Sequence, residues 1–185
     1  MIRTITRTIT RSITRAIRRA LEKTRYLIDL NGTNAYYELA QPIAFAGDFE
    51  WEGDISTTAT GINQAICGSA ISDDITVTTG NVVRVADGAS ALPGTVIVTD
   101  GELHHVKVIR SGSTVSIYID GALDVSGSLS DQLNLDYIGR DTSTNYFNGI
   151  IANTKFTDLG PQLFTTFTST DAGSSYVAGV LTLVQ

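Results

Sequence analysis

The stretch from Asp100 to Gly121 leaves the chain little freedom in how it folds. It opens on Asp100-Gly101, turns again at Ser111-Gly112 and closes on Asp120-Gly121. Between these turns Val106, Val108 and Arg110 alternate with His105, Lys107 and Ile109, and Val115, Ile117 and Ile119 alternate with Thr114, Ser116 and Tyr118. A period of two is that of a strand with one face in a core. Dipeptides ending in Gly supply the positive φ that tight hairpin turns require. The spacing predicts antiparallel strands over 103–110 and 114–119.

The rest of the body repeats the theme. Short apolar or alternating runs predict further strands at 26–30, 35–39, 48–55, 63–71, 75–78, 81–86, 94–98, 134–139, 146–156, 163–168 and 176–184, with another turn at Asn31-Gly32. No amphipathic helical pattern and no linker interrupts residues 26–185, so one antiparallel β-sandwich is expected there. Only 17% of the 185 residues are charged and 42% are hydrophobic, which suits a globule and not a disordered chain. No apolar run approaches the ~20 residues of a membrane-spanning helix. The single Cys67 excludes an intrachain disulfide or a multi-thiolate metal site, and its apolar setting predicts a core thiol.

Charge divides the chain. Residues 1–25 carry eight Arg or Lys against Glu22 alone, a net +7, while residues 26–185 carry five against eighteen acids, a net −13; together they give the chain's −6. The basic arm is also a four-residue repeat, with Arg3, Arg7, Arg11, Arg15 and Arg19 offset by two from Ile5, Ile9, Ile13, Ile17 and Leu21. On a helix that offset is about 200°, so the Arg and Ile rows fall on opposite faces. An amphipathic helical arm is expected, firmer over 13–24 than over the Thr-rich 2–12, because β-branched residues lose rotamer freedom in helices. Five spaced aliphatics call for protein on the other side, either copies of the arm or a socket in a larger assembly. Phosphate contact alone would not require them, which ranks nucleic acid behind protein, with a membrane surface as the remaining alternative. No apolar segment follows the arginines, so the arm does not read as a secretion signal.

Several motifs add a resemblance. Asp100-Gly101-Glu102-Leu103-His104-His105-Val106, continuing to Tyr118-Ile119-Asp120-Gly121, is followed by Tyr137-Ile138-Gly139-Arg140 and by Phe147-Asn148-Gly149-Ile150-Ile151. Upstream lie Leu27-Ile28-Asp29-Leu30-Asn31-Gly32 through Tyr36-Tyr37-Glu38-Leu39, and Asp48-Phe49-Glu50-Trp51-Glu52. This order resembles the concanavalin A-like, laminin-G-like jelly-roll family over about residues 26–158, with Leu103 in place of the usual Trp and Ala35 in place of an Asp. The resemblance implies an all-β, antiparallel jelly-roll sandwich. It does not set the function, because lectins, glycosidases, adhesion modules and structural domains share that fold.

Candidate sites follow from this frame. Many members of that family bind calcium through rim-loop carboxylates, and the resemblance makes Asp73, Asp74 and Asp141, with Asn145 and Asp120, the residues to consider; no cofactor is otherwise expected. Glycan contact on the same rim would use Asp73, Asp87, Asp141 and Tyr146, the last as stacking ring. Glu50, Glu52 and Asp54 alternate and so share one strand face, with Phe49 and Trp51 on the core side. Related glucanases carry E-x-D-x-x-E on a strand, whereas this chain reads E-x-E-x-D, with its last acid at the wrong spacing. A solvated acidic face is the reading for these three. His104 and His105 are adjacent on a strand, point to opposite faces and cannot readily chelate one ion together.

A laminin-G-like body without a secretion signal or disulfide suits a protein assembled in a cytoplasm and later displayed outside. Bacteriophage tail and head-decoration proteins resemble this plan. The expectation is a non-enzymatic structural virion protein, anchored by residues 1–25 to other virion proteins or to copies of itself, displaying residues 26–185 and offering weak adhesion to surface glycans. The alternative is a carbohydrate-binding lectin module; a glycosidase resting on Glu50 and Glu52 ranks last.

Overall fold

The computed structural model describes residues 27–69, 73–141, 144–159, 166–168 and 182–184. The basic arm, with its Arg3 to Arg19 and Ile5 to Leu21 rows, lies outside the described residues. Among those described there is no helix, and fourteen strands form two antiparallel sheets.

The eight-stranded sheet runs in the order β10 (Ala122–Ser128), β9 (Thr114–Ile119), β8 (His104–Ser111), β3 (Phe49–Ser56), β12 (Asn148–Asp158), β13 (Thr166–Thr168) and β14 (Thr182–Val184), with β1 (Leu27–Asn31) also pairing β12. The six-stranded sheet runs β2 (Tyr37–Phe45), β11 (Leu133–Ile138), β4 (Gln64–Gly68), β5 (Asp73–Val77), β6 (Val82–Asp87) and β7 (Ala91–Ile97).

Strand alternation builds the core between them. Val106 and Val108 of β8 and Val115 and Ile117 of β9 are fully buried, as their period of two requires. They face Ile75, Val77, Val83 and Val85 of the six-stranded sheet in one continuous cluster. Trp51 points inward and joins Phe45, Phe49 and Phe156, with Phe45 stacked on Phe49 at 4.8 Å between centroids. Each such side chain taken from water contributes roughly 1.5–3 kcal/mol. Cys67 is buried in this core, and burial pushes its thiol far up, so it stays protonated.

The hairpin from β8 through β9 matches the expected turns. Asp120 and Gly121 both adopt positive φ, 53° and 82°, the geometry of a tight two-residue hairpin turn. It leads directly into β10, a strand the sequence did not signal. β10 is an edge strand whose residues are mostly exposed, so no apolar alternation marks it. The other departures concern proline. β2 runs on to Phe45 through Pro42, and β7 begins at Ala91 and contains Pro93. Both are edge strands of the six-stranded sheet, where a missing N–H need not cost a ladder bond. Of the expected strands 163–168 and 176–184, the described portions pair in order beside β12.

Candidate functional site

Strand parity decides which acids can meet. On β5 and β6 the odd residues Ile75, Val77, Val83 and Val85 enter the core, so Asp74, Thr76, Arg84 and Ala86 take the outer face. There Arg84 Nη2 donates to both carboxylate oxygens of Asp74, at 2.9 and 2.7 Å. The Asp74 side chain is only 5% exposed. Burial pushes its pKa up, the Arg84 guanidinium opposes that, and the nearby Asp141 charge adds to the rise.

Gly68 sits one strand over, paired in register with both Asp74 and Tyr137. A Cβ on Gly68 would lie 3.0 Å from Asp141 Cβ and 3.1 Å from the Arg140 carbonyl oxygen. Absence of a side chain at Gly68 therefore lets the Arg140-Asp141 backbone lie directly on the sheet. The returning segment is tied down by Ala65 N–H, which donates to the Asn145 carbonyl at 3.0 Å. The Asn145 side-chain amide donates to Asp141 Oδ2 at 2.5 Å. These crossings leave a cavity of about 430 Å³ between Asp74, Arg84, Asp141, Asn145 and the β6–β7 turn, Gly88 to Ala91. That volume falls in the range of small-molecule clefts.

An aromatic cluster surrounds Arg140, the residue before Asp141. The Arg140 guanidinium lies 4.4 Å from the Tyr36 ring centroid, 4.3 Å from Tyr137 and 5.9 Å from Tyr146. Tyr36 meets Tyr137 edge-on at 5.8 Å and Tyr146 at 6.1 Å. Cation–π attraction and ring packing hold the Tyr146 ring against Arg140 and Tyr36.

The remaining rim acids form a second cavity, of about 380 Å³, lined by Asp73, Asp87, Asp131, Gln132 and Asn134. It shares Gly88 and Ala89 with the first. Asp73 Oδ2 accepts both the backbone and side-chain N–H of Asn134, each at 2.7 Å. Burial nevertheless pushes Asp73 up, with the charges of Asp87 and Asp131 adding to it. Asp87 goes the other way. Burial raises it, but donors from Asp131, Ser90 and Ala89 outweigh that and hold it below the ordinary range.

The expected glycan-contact set is thus divided: Asp73 and Asp87 line one cavity, while Asp141 lines the other with Tyr146 beside it. The expected calcium set is corrected. Asp73 and Asp74 lie on opposite faces of β5, both Asp74 oxygens are bonded to Arg84, and Asp120 is bonded to His104 Nδ1 and His105 N–H. Among the described residues no three His, Cys, Asp or Glu groups are placed to hold a metal ion.

On the eight-stranded sheet, Glu50, Glu52 and Asp54 do share the outer face, but each meets a base from a neighbouring strand. Lys107 Nζ lies 2.8 Å from Glu50, Lys155 Nζ 3.3 Å from Glu52, and His105 Nδ1 2.7 Å from Asp54. His104 turns away from that row and is clamped between Asp120 at 2.8 Å and Asp100 at 3.0 Å. Burial depresses its pKa, but the two carboxylates prevail and hold it above the ordinary histidine value.

Sequence reasoning passed over Arg84, Tyr36, Tyr137 and Arg140. A lone Arg between Val83 and Val85, in a body with five basic residues, was the available signal for the first.

A family model described as the concanavalin A-like lectin/glucanases superfamily matches residues 51–158. The chain belongs to that superfamily. Its solved neighbours share the fold at low identity. They include domains LG4-5 of the mouse laminin alpha1 chain, 17% identical with a TM-score of 0.55, covering 71% of this chain and 40% of that one. A Bacteroides ovatus protein described as a candidate carbohydrate binder is 15% identical with a TM-score of 0.59, covering 75% and 44%. This superfamily member therefore spans less than half the length of those two chains. The CBM40 of a Ruminococcus gnavus IT-sialidase is 13% identical with a TM-score of 0.53, covering 70% and 90%. No curated protein matches the chain in sequence. Among the described residues no helix is long and apolar enough to cross a membrane.

Proposed function

We propose that the body is a non-catalytic carbohydrate-binding jelly roll whose ligand enters the cleft beside the Arg140-Asp141 crossing. The observation that carries this reading is the convergence, in one cavity of about 430 Å³, of Asp74, Arg84, Asp141 and Asn145, with Tyr146 following Asn145 in the chain and packed on Tyr36. Sugar recognition needs that combination: planar amides and carboxylates for ring hydroxyls, and an aromatic face for the apolar side of the ring. Superfamily membership and the fold shared with a carbohydrate-binding module support it. Titrating the full chain against a glycan panel tests it. At least one glycan should bind, and Asn145→Ala and Tyr146→Ala should each weaken it about tenfold while leaving the thermal midpoint in place. A blank panel, or binding untouched by both variants, overturns the reading.

The arm suggests the setting. A +7 segment with five aliphatics at period four, joined to a −13 body, suits a virion component plugged into its particle by residues 1–25 and displaying the jelly roll outward. Deleting residues 2–22 should leave a folded body that no longer joins the particle or oligomer. Continued incorporation of the truncated chain would sink the anchoring role.

A further inference from the structure

Arg140 differs from the other basic side chains of the body in what meets its charge. Residues 26–185 contain Arg84, Lys107, Arg110, Arg140 and Lys155. Lys107 and Lys155 have Glu50 and Glu52 against them. Arg84 keeps an unbonded Nε, yet Asp74 lies against its Nη2. Arg110 is buried and donates to the Gly112 and Asp131 carbonyls. Arg140 is half-buried, and among the described residues no carboxylate is paired with it. Its Nε donates to the Asp141 carbonyl at 2.9 Å. The N–H groups of Nη1 and Nη2 have no acceptor among the described residues.

Rings hold this guanidinium in place of an acid. Tyr36 and Tyr137 meet at 87° and form two walls of a corner, with Arg140 Cζ 4.4 and 4.3 Å from their centroids. Tyr146 adds a third ring at 5.9 Å. Such rings attract a cation and fix where it lies, but they neutralise none of its charge. A planar guanidinium already ordered, with N–H groups unused, takes a carboxylate or sulfate with little further loss of side-chain freedom. The corner adjoins the cleft along the chain: Asp141 follows Arg140, Asn145 precedes Tyr146, and both line the cavity.

We infer that Arg140 is an oxyanion subsite, and that the sugars bound beside the Arg140-Asp141 crossing carry a carboxylate or sulfate that seats on its Nη groups. This inference rests on the carbohydrate reading and adds the charge of the ligand to it. The −13 of the body opposes an anion at long range. At physiological salt that field fades over about 8 Å, whereas a seated oxyanion touches the guanidinium directly.

Calorimetry on the full chain at about 0.15 M salt, with a neutral oligosaccharide, its uronate form and its sulfated form, is the test. At least one acidic form should bind about fivefold tighter than the neutral one, and the two acidic arms tell which oxyanion is taken. Arg140→Gln should remove that advantage and leave the neutral affinity in place. Arg140→Lys keeps a positive charge without the planar fork and should lose most of the advantage. Attraction of acidic sugars to the basic arm survives both substitutions and is set aside by the comparison. Thermal midpoints check folding; should Arg140→Gln not fold, Arg140→Lys decides. Neutral and acidic forms binding alike, or an acidic advantage that persists in the variants, overturns the inference and leaves the carbohydrate reading standing. If no sugar of either kind binds, the carbohydrate reading itself fails and the inference falls with it.

Discussion

The outer faces of the two sheets both carry charged side chains and put them to different ends. On the eight-stranded sheet, Glu50, Glu52 and Asp54 stand in a row and each finds a base across the strand gap, Lys107, Lys155 or His105. The row is regular, partly solvated and close to neutral. On the six-stranded sheet, the Arg140-Asp141 backbone crosses over Gly68 and turns an otherwise flat face into a cleft holding Asp74, Arg84, Asp141 and Asn145. The difference is one of burial. An exposed ion pair is worth about 0–1 kcal/mol, whereas a pair under cover depends on every partner being in place.

The largest expected effect tests that contrast directly. Asp74→Ala leaves the Arg84 guanidinium half-covered and unpaired, and should lower stability by about 2–3 kcal/mol in urea denaturation, less than for a fully enclosed pair because the Arg84 side chain is 27% exposed. A loss no larger than that of Glu50→Ala would erase the distinction between the faces. Gly68→Val comes next. Its side chain would meet Asp141 and the Arg140 carbonyl, so a cost of about 1–2 kcal/mol is expected, with loss of whatever the cleft binds. Retained stability and binding would show that the crossing can shift freely.

The third prediction concerns pH. His104 is clamped by Asp120 and Asp100, and its folded pKa is raised above the ordinary 6.5. The folded state therefore holds the proton more tightly, and the stabilisation is complete below about 6.5 and lost as pH rises through the folded value. Thermal midpoints should fall across that window in the native chain and fall less in Asp120→Asn. A profile identical in the two proteins would remove His104 from the account. The smallest effect belongs to the paired row: Glu50→Ala should cost about 0.5 kcal/mol or less and leave sugar binding unchanged.

What could be read in advance follows the same division. Strands β3, β8 and β9 were legible because each buries one face, so composition alternates visibly; Trp51 and Phe49 announced their side of β3 in the same way. β10 was not legible because an exposed edge strand has no apolar face to display. Pro42 and Pro93 concealed the true extents of β2 and β7, since whether a proline is tolerated depends on a strand being at the edge. Among the candidate residues, Asp73 and Asp87 line one cavity and Asp74 and Asp141 the other. That division was not legible as long as Asp73 and Asp74 were taken together, since neighbouring residues on a strand face opposite ways.

The sequence by itself determined the all-β sandwich, the inward side of its central strands and the separation of a basic arm from an acidic body. Those are properties of period and composition, which act locally. Only the tertiary structure decided that Asp74 meets Arg84, that Arg140 and Asp141 close over Gly68, and that Arg140 gathers three tyrosines. Asp74 meets Arg84 across the β5–β6 hairpin, while Gly68 meets Asp141 and Arg140 meets Tyr36 from distant parts of the chain; in each case strand register, which local pattern does not encode, sets the meeting.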